Sequence, residues 1–259
     1  MTPASREAAH VAQLQSHKDR RTAQLVHLFL SVGYAAYKTM QDLGSPDRGG
    51  ADVTAHDDSS EYLAAKIHTR AEVLARPTPV PHEPGVYGWW FRELPADIDV
   101  AGCYSRDGLT LLYAGISPKE PPKNGRGPSK LALQSRIRTH YTGNAEGSTL
   151  RRSLGCLLSE RLNIELRRYG SGTRLHFGFG ETDLSRWMDR NAHVSWLTMP
   201  QPWLFEEQIL GRLNLPLNLD KNHSNAFHPI LTAARADAAR RARELPALPN
   251  PGTGGTRID

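Results

Sequence analysis

Two short runs of β-prone residues decide the fold: residues 85–91 (GVYGWWF) and residues 109–116 (LTLLYAGI). Both runs are rich in aromatic or branched aliphatic residues, which are enriched in strands. The dipeptide Asp107-Gly108 lies just before the second run, and Asp-Gly is favoured in tight hairpin turns. The pattern therefore predicts two strands joined by a hairpin connection that contains this turn.

The chain after these strands alternates between helical and extended patterns. Ser148 is a suitable N-cap, Gly143 ends the helix before it, and Pro202 lies where a helix tolerates proline best. The pattern predicts an α+β fold with a small central antiparallel or mixed sheet flanked by helices. The predicted helices are residues 131–140, 149–162, 202–213 and 231–244, and the predicted strands are residues 175–179 and 193–199.

Residues before the first strand are predicted to be helical. Apolar residues at three- and four-residue intervals indicate a helix over residues 5–43 and a shorter one over residues 60–74. Residues 76–81 (RPTPVP) indicate a stiff, extended linker. We therefore expect three parts: a helical region and linker (1–79), a central domain (80–230), and a C-terminal basic helix (231–259) whose tail is disordered from Pro249.

Positive charge is concentrated in one part of the chain. The formal net charge is +5 and the pI is about 9.3, but residues 119–152 contain eight basic residues against two acidic ones. Such an excess is typical of a solvated basic face or of a surface that contacts phosphates. We expect phosphate contacts from side chains of this stretch: Lys119, Lys123, Arg126, Lys130, Arg138, Arg151 and Arg152.

The cysteine count and the N-terminus exclude several classes of protein. Cys103 and Cys156 form no CxxC pattern, so neither a disulfide framework nor a zinc finger is indicated. The N-terminus has no basic start followed by a short apolar core, so the sequence does not indicate a signal peptide. The longest apolar stretch, residues 25–37, is too short and too polar to span a bilayer. We therefore expect a cytoplasmic protein without a membrane partner.

The two strand candidates carry tripeptides that resemble those of the GIY-YIG nuclease family. Gly85-Val86-Tyr87 and Tyr113-Ala114-Gly115 stand where that family has Gly-Ile-Tyr and Tyr-Ile-Gly. Val86 and Ala114 depart from the name but stay hydrophobic. Further family features follow in the same order, so that the resemblance covers roughly residues 84–222: Arg136 and His140 on one helix, then Glu206 and, twelve residues later, Asn218.

The resemblance implies a metal-dependent endonuclease acting on DNA, and the Arg-x-x-x-His spacing is similar to that of restriction-type members. Roles then follow from the chemistry of each group. Tyr87 would accept the proton of the attacking water, with help from His140. Tyr113 would orient the water or the phosphate, and Arg136 would bind phosphate oxygens.

Glu206 would hold one Mg²⁺ or Mn²⁺, since a single carboxylate suits an ion that keeps most of its waters. Asn218 would orient a helix end or metal-bound waters. Gly85 and Gly115 would let backbone and substrate approach the tyrosines without a Cβ clash. Glu207, adjacent to Glu206, is the alternative ligand.

Other interpretations stay open at this point. Tyr87 and Tyr113 could be ordinary cross-strand aromatics, and residues 223–228 (HSNAFH) weakly resemble a His-Asn-His nuclease motif. The chain could be a repair or structure-specific nuclease, a nuclease acting on RNA, or a non-catalytic module that only binds nucleic acid. The sequence does not decide between a monomer and a homodimer, and it contains no readable recognition sequence.

Overall fold

The computed structural model describes residues 58–122, 127, 129 and 132–250. The predicted helix over residues 5–43 and residues 251–259 of the predicted tail lie outside this range. The helices are α1 (Asp58–Ala64), α2 (Arg70–Leu74), α3 (Leu133–Thr142), α4 (Thr149–Leu157), α5 (Ser159–Leu162), α6 (Gly180–Asn191), α7 (Pro202–Arg212) and α8 (His228–Glu244). The strands are β1 (Gly85–Phe91), β2 (Ser105–Arg106), β3 (Leu109–Ser117), β4 (Arg167–Tyr169), β5 (Arg174–His176) and β6 (Ala192–Thr198).

The central sheet has four antiparallel strands in the order β2-β3-β1-β6. β1 lies between β3 and β6, and the register places Tyr87 opposite Gly115 on β3 and Trp196 on β6. Helices flank the sheet, and β4 and β5 form a separate two-stranded sheet. The predicted α+β class with a small antiparallel sheet is confirmed.

The predicted turn joins β2 to β3. Asp107 has φ 54° and Gly108 has φ 71°. Two successive positive φ angles are what a type I′ hairpin turn requires, and Asp-Gly adopts them at low cost. The long connection from β1 to β2 leads into this turn, so the predicted hairpin connection is confirmed.

Both faces of β1 are covered, and every residue of this strand is buried. Tyr87, Trp89 and Phe91 belong to the cluster on the side of α3, α4 and α6. Val86 and Trp90 belong to a second cluster with Tyr62 of α1 and residues of α7. Because successive side chains of a strand point to opposite faces, the alternating members of one strand anchor both clusters.

The predicted helix over residues 60–74 is wrong, since the chain forms two helices there. Between α1 and α2, the backbone of His68 pairs with Val194 of β6, with N–O distances of 2.8 and 3.0 Å. These bonds withdraw the backbone from a helix. Thr69 then caps α2 through a reciprocal pair with Glu72, which is a capping box that restarts the helix.

Two further elements differ from the sequence prediction. The helix predicted over residues 149–162 is divided into α4 and α5 at Leu158. The strand predicted over residues 175–179 ends at His176, and α6, which the sequence analysis did not predict, begins at Gly180. Gly178 lies between them with φ 58°, so the chain turns where the apolar pattern suggests a continuing strand.

The described residues before and after the predicted central domain also pack into its core. Tyr62 and Val73 on one side and Leu231 on the other are at most 3% exposed. The predicted domain boundaries themselves stay predictions. Within the described part of the chain, no helix is long and apolar enough to cross a membrane.

Two helical glycines give a matched test of this packing. A Cβ added to Gly155 of α4 would overlap the ring of Phe177, whereas one added to Gly211 of α7 meets no atom within 4 Å. Gly155→Ala is expected to lower the free energy of unfolding by about 1–3 kcal/mol through overpacking. Gly211→Ala is expected to raise it by about 0.5 kcal/mol through helix propensity.

Urea unfolding followed by tryptophan fluorescence would measure both changes, because all five tryptophans lie between residues 89 and 203. Equal stability of the two variants would contradict the packing described for α4.

Candidate active site

A cavity of about 410 Å³ opens beside the ends of β1 and β3. The elements around it are β1, β3, α3, α4, α7, α8 and the segment that follows α7. Predicted catalytic side chains that are far apart in the sequence meet on its wall: Tyr87, Tyr113, Arg136, Glu206 and Asn218. The remaining one, His140, is fully buried behind Tyr87 and does not line the cavity.

Gly115, which lies opposite Tyr87 on β3, leaves room for the tyrosine hydroxyl. A Cβ on Gly115 would lie 2.5 Å from Tyr87 Oη, so any other residue would displace the hydroxyl. Gly85 differs from the prediction, because a Cβ there would collide with the backbone of Leu197 and the side chain of Leu133. Gly85 therefore serves the packing of β1 against β6 and α3, whereas Gly115 serves the site.

Tyr87 is the outer member of a buried chain of hydrogen bonds. Its Oη lies 2.8 Å from His140 Nε2, and His140 Nδ1 lies 2.7 Å from Ser148 Oγ. Ser148 Oγ in turn accepts a hydrogen bond from the backbone N–H of Arg151, as the N-cap of α4. These bonds fix the imidazole at both nitrogens and connect the tyrosine to the start of α4.

The electrostatics of this chain keep the histidine neutral. Burial, together with the positive charges of Arg136 and Arg151, holds the pKa of His140 well below 6.5. Burial likewise raises the pKa of Tyr87, and the charge of Tyr113 adds to this effect, while Arg136 opposes it. The expectation that His140 titrates near neutrality is therefore wrong: it is a neutral imidazole, able to accept one proton from Tyr87 if its own N–H faces Ser148.

Arg136 lies beside Tyr87, and only part of its guanidinium is hydrogen-bonded to described residues. Its Nε donates to Tyr87 Oη at 3.3 Å, and its Nη1 donates to the carbonyl of Gly147 at 3.0 Å. Among the described residues, Nη2 has no hydrogen-bond partner, and the side chain lines the cavity. The two existing bonds orient the guanidinium, and the free N–H groups remain available to an anion.

The structure distinguishes the two adjacent glutamates. Glu206 is half-buried and lines the cavity, with no hydrogen bond or ion pair to any described residue. Glu207 is exposed and pairs with Lys221 at 2.9 Å. Burial raises the pKa of Glu206, so a cation at this carboxylate would be favoured because it compensates the buried charge.

The donor set suits a hard divalent ion held loosely. The described residues contain no group of three or more His, Cys, Asp or Glu side chains that could hold a metal. One carboxylate at the wall of a water-accessible cavity fits Mg²⁺ or Mn²⁺, because Mg²⁺ keeps most of its own waters. Glu206 is the residue that would hold it.

Asn218 binds the backbone of β3, a contact that the sequence analysis did not predict. Its Oδ1 accepts from the N–H of Ala114 at 2.9 Å, and its Nδ2 donates to the carbonyl of the same residue at 2.8 Å. The side chain thereby takes the place of a neighbouring strand at the middle of the Tyr113-Ala114-Gly115 tripeptide. Asn218 is therefore a positioning residue for β3.

The seven predicted phosphate contacts differ in their surroundings. Lys123, Arg126 and Lys130 lie outside the described residues, while Lys119 and Arg138 are exposed, with Lys119 on the cavity. Arg152 is partly buried and bonds to Glu146 and to the carbonyl of Ala145.

The prediction for Arg151 is wrong, because its side chain is fully buried. Its guanidinium pairs with Glu181 at 2.7 Å and donates to the carbonyls of His140 and Tyr141. Arg151 therefore holds the end of α3 against α4 and α6, where a substrate phosphate has no access.

The sequence analysis missed one basic residue of the site. Arg235 of α8 lines the cavity beside Ser153 of α4, and Thr149 of the same helix also lines it. A signal for it exists, since Arg235 stands between Leu231 and Ala238 at helical spacing, on the face that is buried. An arginine on the apolar face of a helix is unusual and points to a special environment.

Comparison with models of known protein families gives a match over the domain that carries the cavity. A model of the GIY-YIG catalytic domain matches residues 85–237, which is more than half of the chain. The match begins at the first residue of β1 and ends within α8, so it includes every side chain named on the cavity. Neither the curated proteins nor the solved structures contain a match to this chain.

The buried neutral His140 predicts a pH dependence of stability. Its pKa is lowered in the folded state relative to about 6.5 in the unfolded chain. The unfolded state therefore binds the proton first, and the free energy of unfolding falls as the pH is lowered below about 6.5. In His140→Gln this fall is expected to be smaller, though not absent, since burial also lowers the pKa values of His68, His176 and His193.

Urea unfolding at a series of pH values would measure the effect, with the exposed His82→Gln as the matched control. A fall as steep in His140→Gln as in the wild type would show that His140 is not the buried neutral group described.

Proposed function

Because the chain belongs to the GIY-YIG nuclease family, we propose that it is a metal-dependent endonuclease that hydrolyses phosphodiester bonds in DNA. The observation that carries the proposal is the cavity in which Tyr87, Tyr113, Arg136 and Glu206 meet. A phosphodiester needs an in-line water, positive charge at the phosphoryl oxygens and a proton acceptor. The cavity wall offers a residue type for each of these needs.

Two positive groups would compensate the negative charge on the phosphoryl group. Arg136 donates its free N–H groups to non-bridging oxygens, in the orientation that its bonds to Tyr87 and Gly147 impose. Glu206 holds the divalent ion, which supplies Lewis-acid stabilisation of the developing negative charge. Tyr113, whose Oη lies 3.4 Å from Thr149 Oγ1, orients the phosphate or the attacking water.

The proton of the attacking water leaves through Tyr87. As the water oxygen bonds to phosphorus, the bond from phosphorus to the leaving 3′-oxygen breaks, and that oxygen takes up a proton from solvent in the cavity. The proton of the attacking water passes to Tyr87 Oη, and the tyrosine's own proton passes to His140 Nε2 over 2.8 Å. The N–H at Nδ1 of His140 remains bonded to Ser148. This exchange avoids a free tyrosinate, which burial disfavours because it raises the pKa of Tyr87. The imidazolium that forms instead is disfavoured by burial and by the charges of Arg136 and Arg151, so it is a transient state that returns its proton through Tyr87.

A restriction-type enzyme is the most specific form of the proposal. It is supported by the Arg136–His140 pair, because both side chains contact the same tyrosine from one face of α3. Cleavage of both strands at a symmetric sequence would call for a homodimer with one active site in each copy. The proposal places the enzyme in the cytoplasm, where chromosomal or invading DNA is accessible.

The two adjacent glutamates provide the central test. With plasmid DNA and Mg²⁺ or Mn²⁺, Glu206→Gln is expected to cut at least about 100-fold more slowly than the wild type, because the metal loses its carboxylate. Tyr87→Phe is expected to lose a similar factor through the missing proton transfer. Glu207→Gln, which removes an exposed carboxylate next in the chain, is expected to cut at the wild-type rate.

Gel electrophoresis of the plasmid forms measures these rates. The substrates should include unmodified and modified plasmids, linear duplex, branched DNA and RNA. Preference for a branched substrate would replace restriction by a structure-specific role, and preference for RNA would change the substrate class. A wild type that cuts none of them at any metal concentration, or cutting that survives both Tyr87→Phe and Glu206→Gln, would refute the proposed chemistry.

A further inference from the structure

The C-terminal helix α8 contributes a cation to the cavity. Arg235 lies among the buried residues of this helix, Leu231, Ala238 and Ala242. Its guanidinium reaches the cavity wall, where Nη1 lies 3.5 Å from Ser153 Oγ. That contact is at the outer limit of hydrogen-bond geometry, so the guanidinium is only weakly held by the protein.

The charge of Arg235 is not compensated by an ion pair within the described residues. Its neighbours on α8 differ, since Arg240 pairs with Asp237 and Glu244, and Arg241 pairs with Asp237. Burial and the nearby charge of Arg152 lower the pKa of Arg235. A half-buried cation without a partner is destabilising, and an anion in the cavity would remove that cost.

Hydroxyl groups beside Arg235 complete a surface suited to an oxyanion. Thr149 and Ser153 are four residues apart on α4, hence on one face of the helix, and both line the cavity. The guanidinium presents several N–H donors, and each hydroxyl adds an O–H donor. Arg136 and Glu206 come from other elements, α3 and α7, and Thr149 connects the two groups of residues, since its Oγ1 lies 3.4 Å from Tyr113 Oη.

The cavity is large enough for both groups to be occupied together. Its volume of about 410 Å³ is more than ten times the roughly 30 Å³ that a water molecule takes in the liquid. Neighbouring phosphates of one nucleic-acid strand carry one charge each. A strand that places its scissile phosphate at Arg136 therefore has a further phosphate to place elsewhere on the cavity wall, where Arg235 lies.

We infer that Arg235, with the hydroxyls of Thr149 and Ser153, binds a second phosphate of the same strand, adjacent to the scissile one. The inference rests on the proposed nuclease function and adds a substrate-binding role for α8. Arg235 is a binding residue here: it fixes the strand in the cavity, while the chemistry takes place at Tyr87 and Arg136.

Salt-dependent binding distinguishes this role from a structural one. The background is the full-length Glu206→Gln protein, which is expected to bind DNA without cutting it efficiently. Its dissociation constant for a short mixed-sequence DNA duplex is measured by fluorescence anisotropy at several salt concentrations. Adding Arg235→Gln is expected to weaken binding about tenfold and to reduce the slope of log Kd against log salt by about one, the signature of one lost phosphate contact. Arg235→Lys keeps the charge and is expected to keep most of the slope.

Arg243→Gln is the matched control, because Arg243 is an exposed arginine of the same helix that does not line the cavity. It makes the same change in net charge and is expected to leave the slope unchanged. Thr149→Val removes an exposed hydroxyl donor without a charge. It is expected to weaken binding a few-fold at an unchanged slope, and it tests the subsite even if Arg235→Gln fails to fold.

With Glu206 intact, Arg235→Gln is expected to raise KM for plasmid cleavage about tenfold and to change kcat much less. An unchanged salt slope in Arg235→Gln, an equal change in Arg243→Gln, or wild-type binding by Thr149→Val would each overturn the inference. These results differ from failure of the proposed function, in which the wild type itself neither binds nor cuts nucleic acid.

Discussion

The antiparallel pairing of β1 with β3 places Tyr87 directly opposite Gly115, and the geometry of the site depends on this register. The tyrosine hydroxyl occupies the space that any side chain at position 115 would fill. A slip of one residue would turn Tyr87 to the other face of the sheet, away from His140 and Arg136. The register is secured from outside by Asn218, which binds both backbone groups of Ala114.

Around this pairing, the protein uses its arginines in two opposite ways. Arg151 is surrounded by acceptors and by the carboxylate of Glu181, so its charge is satisfied and serves to hold α3, α4 and α6 together. Arg136 and Arg235 line the cavity, and each has N–H groups without an acceptor among the described residues. The difference lies in the acceptors that the fold supplies, since the side chain itself is the same. A guanidinium left short of acceptors at a cavity wall is where an incoming phosphate gains most.

The proton acceptor illustrates a similar dependence on context. Tyr87 and His140 both ionise less readily than in water because both are buried. Neither is a strong base alone, and in the proposed mechanism the hydrogen bond between them lets one proton be received as another is passed on. Ser148 links this pair to the N-terminus of α4, so the cap that starts the helix also orients the imidazole.

Much of the fold could be predicted from local patterns. β1, β3, β6, α3, α7 and the Asp107-Gly108 turn follow from strand periodicity, caps and turn chemistry, which act over a few residues. The break between α1 and α2 could not be predicted in this way, because it is caused by the bridge from His68 to Val194, far away in the sequence. α6 was missed for a different reason: its start depends on the turn at Gly178, inside a run that looks like a strand.

The sequence by itself determined which residue types are present for the chemistry: two tyrosines on neighbouring strands, an arginine and a histidine one helical turn apart, and a glutamate on a later helix. Which of them reach the cavity depends on the tertiary structure. Glu206 lines the cavity, whereas Glu207 is exposed and pairs with Lys221. Arg151 is buried, Asn218 binds the backbone of β3, and Arg235 lines the cavity. Burial and hydrogen-bond partners are set by contacts between distant segments, and these contacts determine whether a charged side chain holds the fold together or remains free for a substrate.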